Sequence, residues 1–227
     1  MPNALCRSRL TKSGLANYPI SSNQIQSIKT MNTTSEAFYD RVAPLYPVID
    51  CILKPQKQRL FYEINSYPPG KLLDIGVGNG AHLKYYTRHA VVGVDRSEGM
   101  IAAARKHQRE NIQLLQMDGE ALEFPDESFD HVILSHVIAV VEHPDKLLKE
   151  VHRVLKPHGK VFILNHFTPV NWLKYLDLSF ARISRLLHFR SVFRITDLEQ
   201  IRKFRLLSER KTDLFSYFKL LIYEKNV

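Results

Sequence analysis

The sequence predicts an α/β fold built on a doubly wound, mostly parallel sheet. Short apolar runs of strand length alternate along the chain with stretches whose apolar residues recur at helical spacing. Strict alternation of this kind favours parallel strands joined by crossover helices. The first run, at residues 72–75, breaks into Gly76, Gly78 and Gly80. A buried strand that turns sharply through glycines is typical of the ligand-binding edge of such a sheet.

The other elements follow the glycine loop in order. We expect strands at residues 91–95, 111–117, 131–135 and 160–165. We expect helices at residues 80–89, after the N-cap Ser97, over residues 143–155, and after a capping box at residues 196–199. Two strand-like runs at residues 204–211 and 216–224 end the chain, and we predict that they form a hairpin.

Composition limits the class of protein. The 227 residues suit one α/β domain with a substantial core, and no apolar run has the length that spans a bilayer. Two distant cysteines give neither a disulfide framework nor a zinc spacing, which favours a reducing compartment and no metal. The net charge of +9 is concentrated in residues 1–35 and 172–211. Such basic patches indicate anionic partners, either a lipid surface or nucleic acid.

The N-terminal part divides into a tail and a lid. Residues 1–34 are predicted to be disordered, although their composition also suits a transit peptide, or a tail that precedes a start at Met31. Residues 35–227 are expected to form a single domain. Its first part, residues 35–67, has helical spacing interrupted by prolines and an aromatic face that includes Tyr39 and Tyr46. This part is either a lid over the active site or ordinary core packing.

Two acids at strand ends indicate the kind of ligand. Asp74 stands just before the first glycine, where a carboxylate would repel a pyrophosphate and attract a cation. Asp95 lies nineteen residues after Gly76, at the end of the second strand. That is the spacing at which an acid receives ribose hydroxyls. A nicotinamide enzyme would explain Asp95 but not Asp74.

Several motifs together resemble those of class I S-adenosylmethionine-dependent methyltransferases. They are Asp74-x-Gly76-x-Gly78, Asp95, Met117-Asp118-Gly119, LEFPDESFD and LKPHGK. The resemblance covers roughly residues 70–166 and departs at His158, where many relatives have a glycine. It implies a seven-stranded sheet whose last strand is antiparallel, which suits the predicted hairpin.

The resemblance also implies a cofactor site for S-adenosylmethionine. Asp74 and the backbone of Gly76 and Gly78 would hold its methionine end. Asp95 would accept both ribose hydroxyls, and Asp118 would accept the exocyclic amine of the adenine, unless Asp118 is only a turn residue. The full expected set is Asp74, Gly76, Gly78, Asp95, Arg96, Met100, Asp118, Gly119 and Ser135.

Candidate catalytic residues lie where the methyl acceptor would arrive. Ser135-His136 follows the fourth strand and Asn165-His166 follows the fifth, so both pairs are expected at the reaction mouth. His136 and His166 could hold or deprotonate the acceptor, and Tyr39 and Tyr46 could close over it. The alternative is that each histidine is a structural polar residue.

A finer resemblance concerns the acceptor. The segments FYDRVAPLYPVID, SHVIAVVEHPD and VFILNHF are similar to those of bacterial phosphatidylethanolamine N-methyltransferases. This similarity implies methylation of a phospholipid amine. The ubiquinone and menaquinone C-methyltransferases share the general layout, so C-methylation of a quinone precursor, or methylation of another small molecule, stays an alternative.

Residues 172–189 are predicted to form an amphipathic helix with an aromatic and aliphatic face opposite a basic one. Such a helix could lie on an anionic membrane, or it could pack its apolar stripe on the sheet. The first interpretation predicts a cytoplasmic enzyme that is peripheral at the inner membrane face. A basic nucleic-acid-binding protein on a methyltransferase-like fold is the non-enzyme alternative, although no RNA-binding module is recognisable.

Overall fold

The computed structural model describes residues 57–166, 195–211 and 218–226. The predicted tail, most of the predicted lid with Tyr39 and Tyr46, and the amphipathic segment 172–189 lie outside the described residues. The predicted division into a tail and a single domain with a lid therefore stays a prediction.

Within the described residues, seven strands form one sheet with the order β3-β2-β1-β4-β5-β7-β6. Strands β1 to β5 are parallel, whereas β7 runs antiparallel to both β5 and β6. The fold class and the terminal hairpin are thus confirmed. The bounds are β1 Lys71–Ile75, β2 Ala90–Asp95, β3 Ile112–Gln116, β4 Phe129–Ser135, β5 Leu155–His166, β6 Phe204–Lys211 and β7 Phe218–Lys225.

The register of the central strands brings their carboxyl ends to one edge of the sheet. Ile75 at the end of β1 is paired with Val94 on one side and with Leu134 on the other. Asp95 and Ser135, each one residue further along, therefore flank the point where β1 turns into the glycine loop. We call this side the carboxyl edge and the opposite side the amino edge.

In the described part of the chain, three α-helices cover the sheet: α1 at residues 57–66, α2 Glu98–Ala104 and α3 Pro144–Val154. Helix α1 buries Leu60, Phe61 and Ile64 in a cluster with residues of β1, β4, β5 and β7. Helix α2 is capped by Ser97, whose side chain accepts a hydrogen bond from the Met100 N–H, as the sequence predicted. Helix α3 buries its apolar stripe, which comprises Leu147, Leu148, Val151 and Val154.

Two predicted helices are wrong. Residues 80–89 contain only a 3₁₀ turn, Leu83–Tyr85, because Tyr86 is extended and directs its hydroxyl back to Asp74. Residues 195–203 form two 3₁₀ turns, and the side chain that accepts from the Gln200 N–H is Asp145 of α3. In both places a contact with a distant residue replaces the local helical pattern.

Strand β5 begins earlier than predicted, because it includes the turn that the sequence placed before it. His158 in this turn has φ of +60°. This is the left-handed region that favours glycine. No helix in the described part of the chain is long and apolar enough to cross a membrane.

Candidate cofactor and acceptor site

The glycine loop after β1 has left-handed backbone at each of its three glycines, with φ of +75° at Gly76, +55° at Gly78 and +70° at Gly80. A Cβ at Gly76 would clash with the side chain of Val137. A Cβ at Gly78 would meet no atom within 4 Å. The loop is therefore tightly packed at Gly76 but open at Gly78, where a ligand can approach the backbone.

Asp95 at the end of β2 connects the glycine loop to helix α2. Its Oδ2 accepts from the Gly78 N–H at 2.8 Å, and its Oδ1 accepts from the Ser97 N–H at 2.9 Å. Burial raises the pKa of the Asp95 carboxyl above its usual value, partly opposed by these two hydrogen bonds. Each oxygen keeps one further lone pair, so the carboxylate can still accept two hydroxyl groups.

Asp74 on β1 is 1% exposed. Its Oδ2 accepts a hydrogen bond from the hydroxyl of Tyr86 at 2.8 Å and lies 2.7 Å from Nε2 of His82. Neither partner was predicted from the sequence. His82 and Tyr86 follow Asp74 by only eight and twelve residues, which makes a contact with Asp74 possible. The predicted helix at residues 80–89 gave no reason to expect that contact.

The four residues expected around the adenine lie after β2 and β3. The Asp118 carboxylate accepts a hydrogen bond from the Glu120 N–H at 2.9 Å, which is the turn role considered as an alternative above. It retains further lone pairs that could accept from a ligand. A Cβ at Gly119 would clash with Ile75 and press on Leu147, so packing alone requires this glycine. Arg96 and Met100 are half-buried at the start of α2.

The acceptor side of the edge carries polar groups on β4 and β5. The Ser135 Oγ and the Asn165 Nδ2 are buried without a hydrogen-bond partner among the described residues. His136 follows Ser135 with φ of +60°, and its N–H donates to the Leu164 carbonyl at 2.7 Å. His166 ends β5, where its main chain is paired with Phe218.

The described site fits a cationic cofactor that carries a ribose and no phosphate. The charged groups beside the glycine loop are the carboxylates of Asp74 and Asp95, and open space adjoins Gly78. A sulfonium and an ammonium suit such a site better than a pyrophosphate does. Among the described residues, no cluster of three His, Cys, Asp or Glu side chains could hold a metal ion.

Comparison with known proteins agrees with this geometry. Residues 73–163 match a methyltransferase domain family. The chain is 38% identical over 133 residues to a phosphatidylethanolamine N-methyltransferase of Cereibacter sphaeroides, covering 56% of this chain and 66% of that protein. It is 33% identical over 140 residues to a demethylmenaquinone methyltransferase of Renibacterium salmoninarum, covering 59% of each. The matches thus span less than two thirds of either relative.

The fold is also shared with solved structures. One is an S-adenosylmethionine-dependent methyltransferase from Thermotoga maritima, with a TM-score of 0.63 and 21% identity over 84% of this chain and 99% of that chain. Residues 73–163 of the chain thus match a methyltransferase domain, and the described fold is that of a solved S-adenosylmethionine-dependent methyltransferase.

Proposed function

We propose that the chain transfers methyl groups from S-adenosylmethionine to the amine of phosphatidylethanolamine at the surface of an anionic membrane. The observation that carries the proposal is the 38% identity with the phosphatidylethanolamine N-methyltransferase of Cereibacter sphaeroides. The cofactor supplies an electrophilic methyl group on a sulfonium. The protein therefore has to position the two reactants and exclude water.

The residues at the end of β1 and β2 would hold the cofactor. The Asp74 carboxylate suits the ammonium of its methionine end, and the free lone pairs of Asp95 suit the ribose hydroxyls. The open backbone at Gly78 lets the ligand approach between these two acids. Arg96, Met100, Asp118 and Gly119 are proposed to line the adenine end, with Gly76 and Ser135 completing the set.

The ends of β4 and β5 would receive the acceptor. An amine attacks only through a nitrogen lone pair, so a protonated ethanolamine head group must first lose a proton. His136 and His166 are proposed to take that proton or to orient the amine, and Tyr39 and Tyr46 to close over it. The unpartnered Ser135 Oγ and Asn165 Nδ2 support a polar ligand there, because buried polar groups are usually hydrogen-bonded.

The surface around β6 supports docking on anionic lipid. Leu206 is 48% exposed and Leu207 is 39% exposed on this strand. Arg202 and Lys203, directly before this strand, and Lys211, at its end, are also exposed. Basic residues near an anionic membrane contribute about 1 kcal/mol each, and exposed leucines can enter the headgroup boundary. The predicted amphipathic segment 172–189 precedes this surface in the chain and would add to it. The proposed location is therefore cytoplasmic, on the inner membrane face.

C-methylation of a quinone precursor is the second candidate. The 33% identity with the demethylmenaquinone methyltransferase of Renibacterium salmoninarum favours it. A carbon nucleophile also needs a base, so the same histidines would serve that chemistry. The two candidates differ in the atom that receives the methyl group, which is measurable directly.

The experiment uses purified protein, methyl-deuterated S-adenosylmethionine, and vesicles that contain both phosphatidylethanolamine and demethylmenaquinone. Mass spectrometry of the extracted lipids should find the label on mono-, di- or trimethylated phosphatidylethanolamine. Asp95→Ala serves as the control, because it removes the group proposed to hold the ribose. Label on the quinone alone would establish the second candidate, and label on neither lipid would overturn both.

The same assay tests the membrane surface. The rate should be higher on vesicles that include phosphatidylglycerol than on purely zwitterionic ones. This advantage should shrink with salt, because the Debye length falls from about 10 Å at 0.1 M to about 3 Å at 1 M. Equal rates on both kinds of vesicle at low salt would contradict the anionic-surface proposal while leaving the acceptor assignment intact.

A further inference from the structure

Two side chains of the turn after the glycine loop converge on Asp74. We propose that His82 and Tyr86 are positioning residues, which orient the Asp74 carboxylate toward the amino-acid end of the cofactor. This assignment rests on the proposed cofactor role of Asp74 and adds the residues that set its orientation.

Both contacts reach the same carboxylate oxygen. The Tyr86 hydroxyl lies 2.8 Å from Oδ2 of Asp74, and Nε2 of His82 lies 2.7 Å from it. Among the described residues, no hydrogen bond is made to Oδ1 of Asp74. Two fixed donors on one oxygen define the plane of the carboxylate and reserve the other oxygen for a ligand.

The protonation of the two partners follows from the charge of Asp74. An ionised carboxylate only accepts hydrogen bonds, so His82 must carry a hydrogen on Nε2 and Tyr86 must donate its hydroxyl hydrogen. Burial, together with the neighbouring Asp74, raises the pKa of the Tyr86 hydroxyl well above its usual value. Tyr86 therefore keeps its proton and remains a donor at physiological pH.

Helix α1 holds the two donors in place. Phe61, which is 4% exposed, stacks on the ring of His82 with centroids 5.5 Å apart. The ring of Phe61 also meets Tyr86 edge-on at 5.2 Å. Aromatic pairs at these separations restrict both rings. The donors are thus fixed by packing before any ligand arrives, which lowers the cost of ordering the site on binding.

A purely structural role would be to neutralise a buried carboxylate. Such a role makes no distinction between ligands, whereas a positioning role affects only ligands that contact Asp74. S-adenosylhomocysteine and methylthioadenosine make this distinction, because they share the adenosine and the thioether sulfur. Only the first carries the amino-acid end.

The test is calorimetric titration of both ligands into the full chain. His82→Ala and Tyr86→Phe should each weaken S-adenosylhomocysteine about tenfold, because one hydrogen bond to a charged group is lost. Methylthioadenosine should bind them as it binds the wild-type chain. His82→Gln should recover part of the loss, because its amide can donate to Asp74.

Tyr85→Phe is the matched control. Tyr85 is the neighbouring tyrosine and also stacks on Phe61 at 5.2 Å, but among the described residues it donates no hydrogen bond to Asp74. Its loss of a hydroxyl should change neither affinity. If Tyr86→Phe does not fold, the two His82 variants carry the test, since that side chain is 13% exposed.

The outcomes separate this assignment from the proposed function. Equal weakening of both ligands, or unchanged binding of both, would overturn the positioning role while leaving the cofactor assignment in place. A wild-type chain that binds neither ligand would overturn the proposed function and the positioning role together.

Discussion

The two edges of the same sheet both carry buried titratable side chains, but they enclose them differently. At the carboxyl edge, Asp74 and Asp95 border a glycine loop that leaves open space at Gly78. At the amino edge, His89 and His131 are 2% and 6% exposed and lie against each other edge-to-face at 5.2 Å. The acids of the carboxyl edge adjoin open space, whereas this histidine pair of the amino edge is enclosed.

The histidines of the amino edge illustrate what a structural titratable pair looks like. Nε2 of His89 lies 3.0 Å from the Ile64 carbonyl, and Nε2 of His131 lies 3.2 Å from the Pro68 carbonyl. Their Nδ1 atoms have no partner among the described residues. A titratable residue at a strand end is therefore weak evidence of function. Asp74 and Asp95 differ from this histidine pair in the open space that adjoins them at Gly78.

The largest expected effect comes from substituting histidines at the carboxyl edge and comparing them with histidine substitutions at the amino edge. His136→Asn and His166→Gln should lower turnover about a hundredfold or more, because proton transfer by a positioned side chain contributes at least that much. Cofactor affinity should remain near that of the wild-type chain, since these residues are proposed to act on the acceptor. Asparagine is chosen at position 136 because it tolerates the positive φ there.

The matched variants at the amino edge are His89→Gln and His131→Phe. Assayed at mildly alkaline pH, where the variants remain folded, they should turn over at close to the wild-type rate. Steady-state kinetics with the preferred lipid, together with cofactor titrations, measures both sets. Equal losses of turnover at the two edges would mean that the substitutions act through the stability of the fold and not through the chemistry of the acceptor. Wild-type turnover in both carboxyl-edge variants would place the acceptor chemistry elsewhere.

A smaller contrast lies within the glycine loop. Gly76→Ala adds a Cβ that clashes with Val137, whereas Gly78→Ala adds one that meets nothing within 4 Å. Both substitutions meet the strain of a positive φ, about 1 kcal/mol, and only Gly76→Ala adds overpacking of about 2 kcal/mol. Chemical denaturation should therefore find Gly76→Ala the less stable by about 2 kcal/mol.

For ligand affinity we expect the opposite order, with Gly78→Ala the more impaired of the two variants. A methyl group at Gly78 points into the space proposed for the cofactor, so Gly78→Ala should weaken S-adenosylhomocysteine while remaining well folded. Full affinity in Gly78→Ala would show that the open side of the loop is not where the cofactor lies. Equal stability of the two variants would show that Val137 yields readily.

The sequence predicted the parts of the site that depend on local pattern. A buried strand that breaks into glycines predicts the loop, and the spacing from Gly76 to Asp95 predicts an acid at the neighbouring strand end, which the register confirms. Contacts between distant residues were not predictable in this way. The bond from Tyr86 to Asp74 overrides helical spacing in residues 80–89, because a buried carboxylate requires donors.

The acceptor side was predicted less completely for a related reason. Strand order placed Ser135 and His136 at the mouth, but pattern alone does not identify which buried polar groups lack a partner. Asn165, which the sequence also placed at the mouth, is 1% exposed, and its Nδ2 has no hydrogen-bond partner among the described residues. Tyr39, Tyr46 and segment 172–189 lie outside the described residues, so their roles stay predictions.

The smallest expected effect tests the closed edge through its pH dependence. Burial lowers the pKa of both His89 and His131 below the usual 6.5, and the proximity of His89 adds to the lowering at His131. Other charges near the pair are Arg88 and Lys160, which also disfavour protonation, and Asp130, which favours it. Well above pH 6.5 both histidines are neutral in the folded and the unfolded chain, so they add no pH dependence there.

Between pH 6.5 and the lowered values, the unfolded chain binds protons that the folded chain does not, so the free energy of unfolding decreases as the pH falls. Calorimetric scans from pH 7.5 to 5.5 should find a Tm that drops by a few degrees. The drop should be smaller in His131→Phe, which keeps the ring packing against Tyr67 and Phe162 but cannot take a proton. Exposed His107→Gln should follow the wild-type curve. A wild-type Tm that stays constant over this range, or a His131→Phe curve parallel to the wild-type curve, would mean that folding does not lower the pKa of these histidines. The contrast between the closed and the open edge would then be lost.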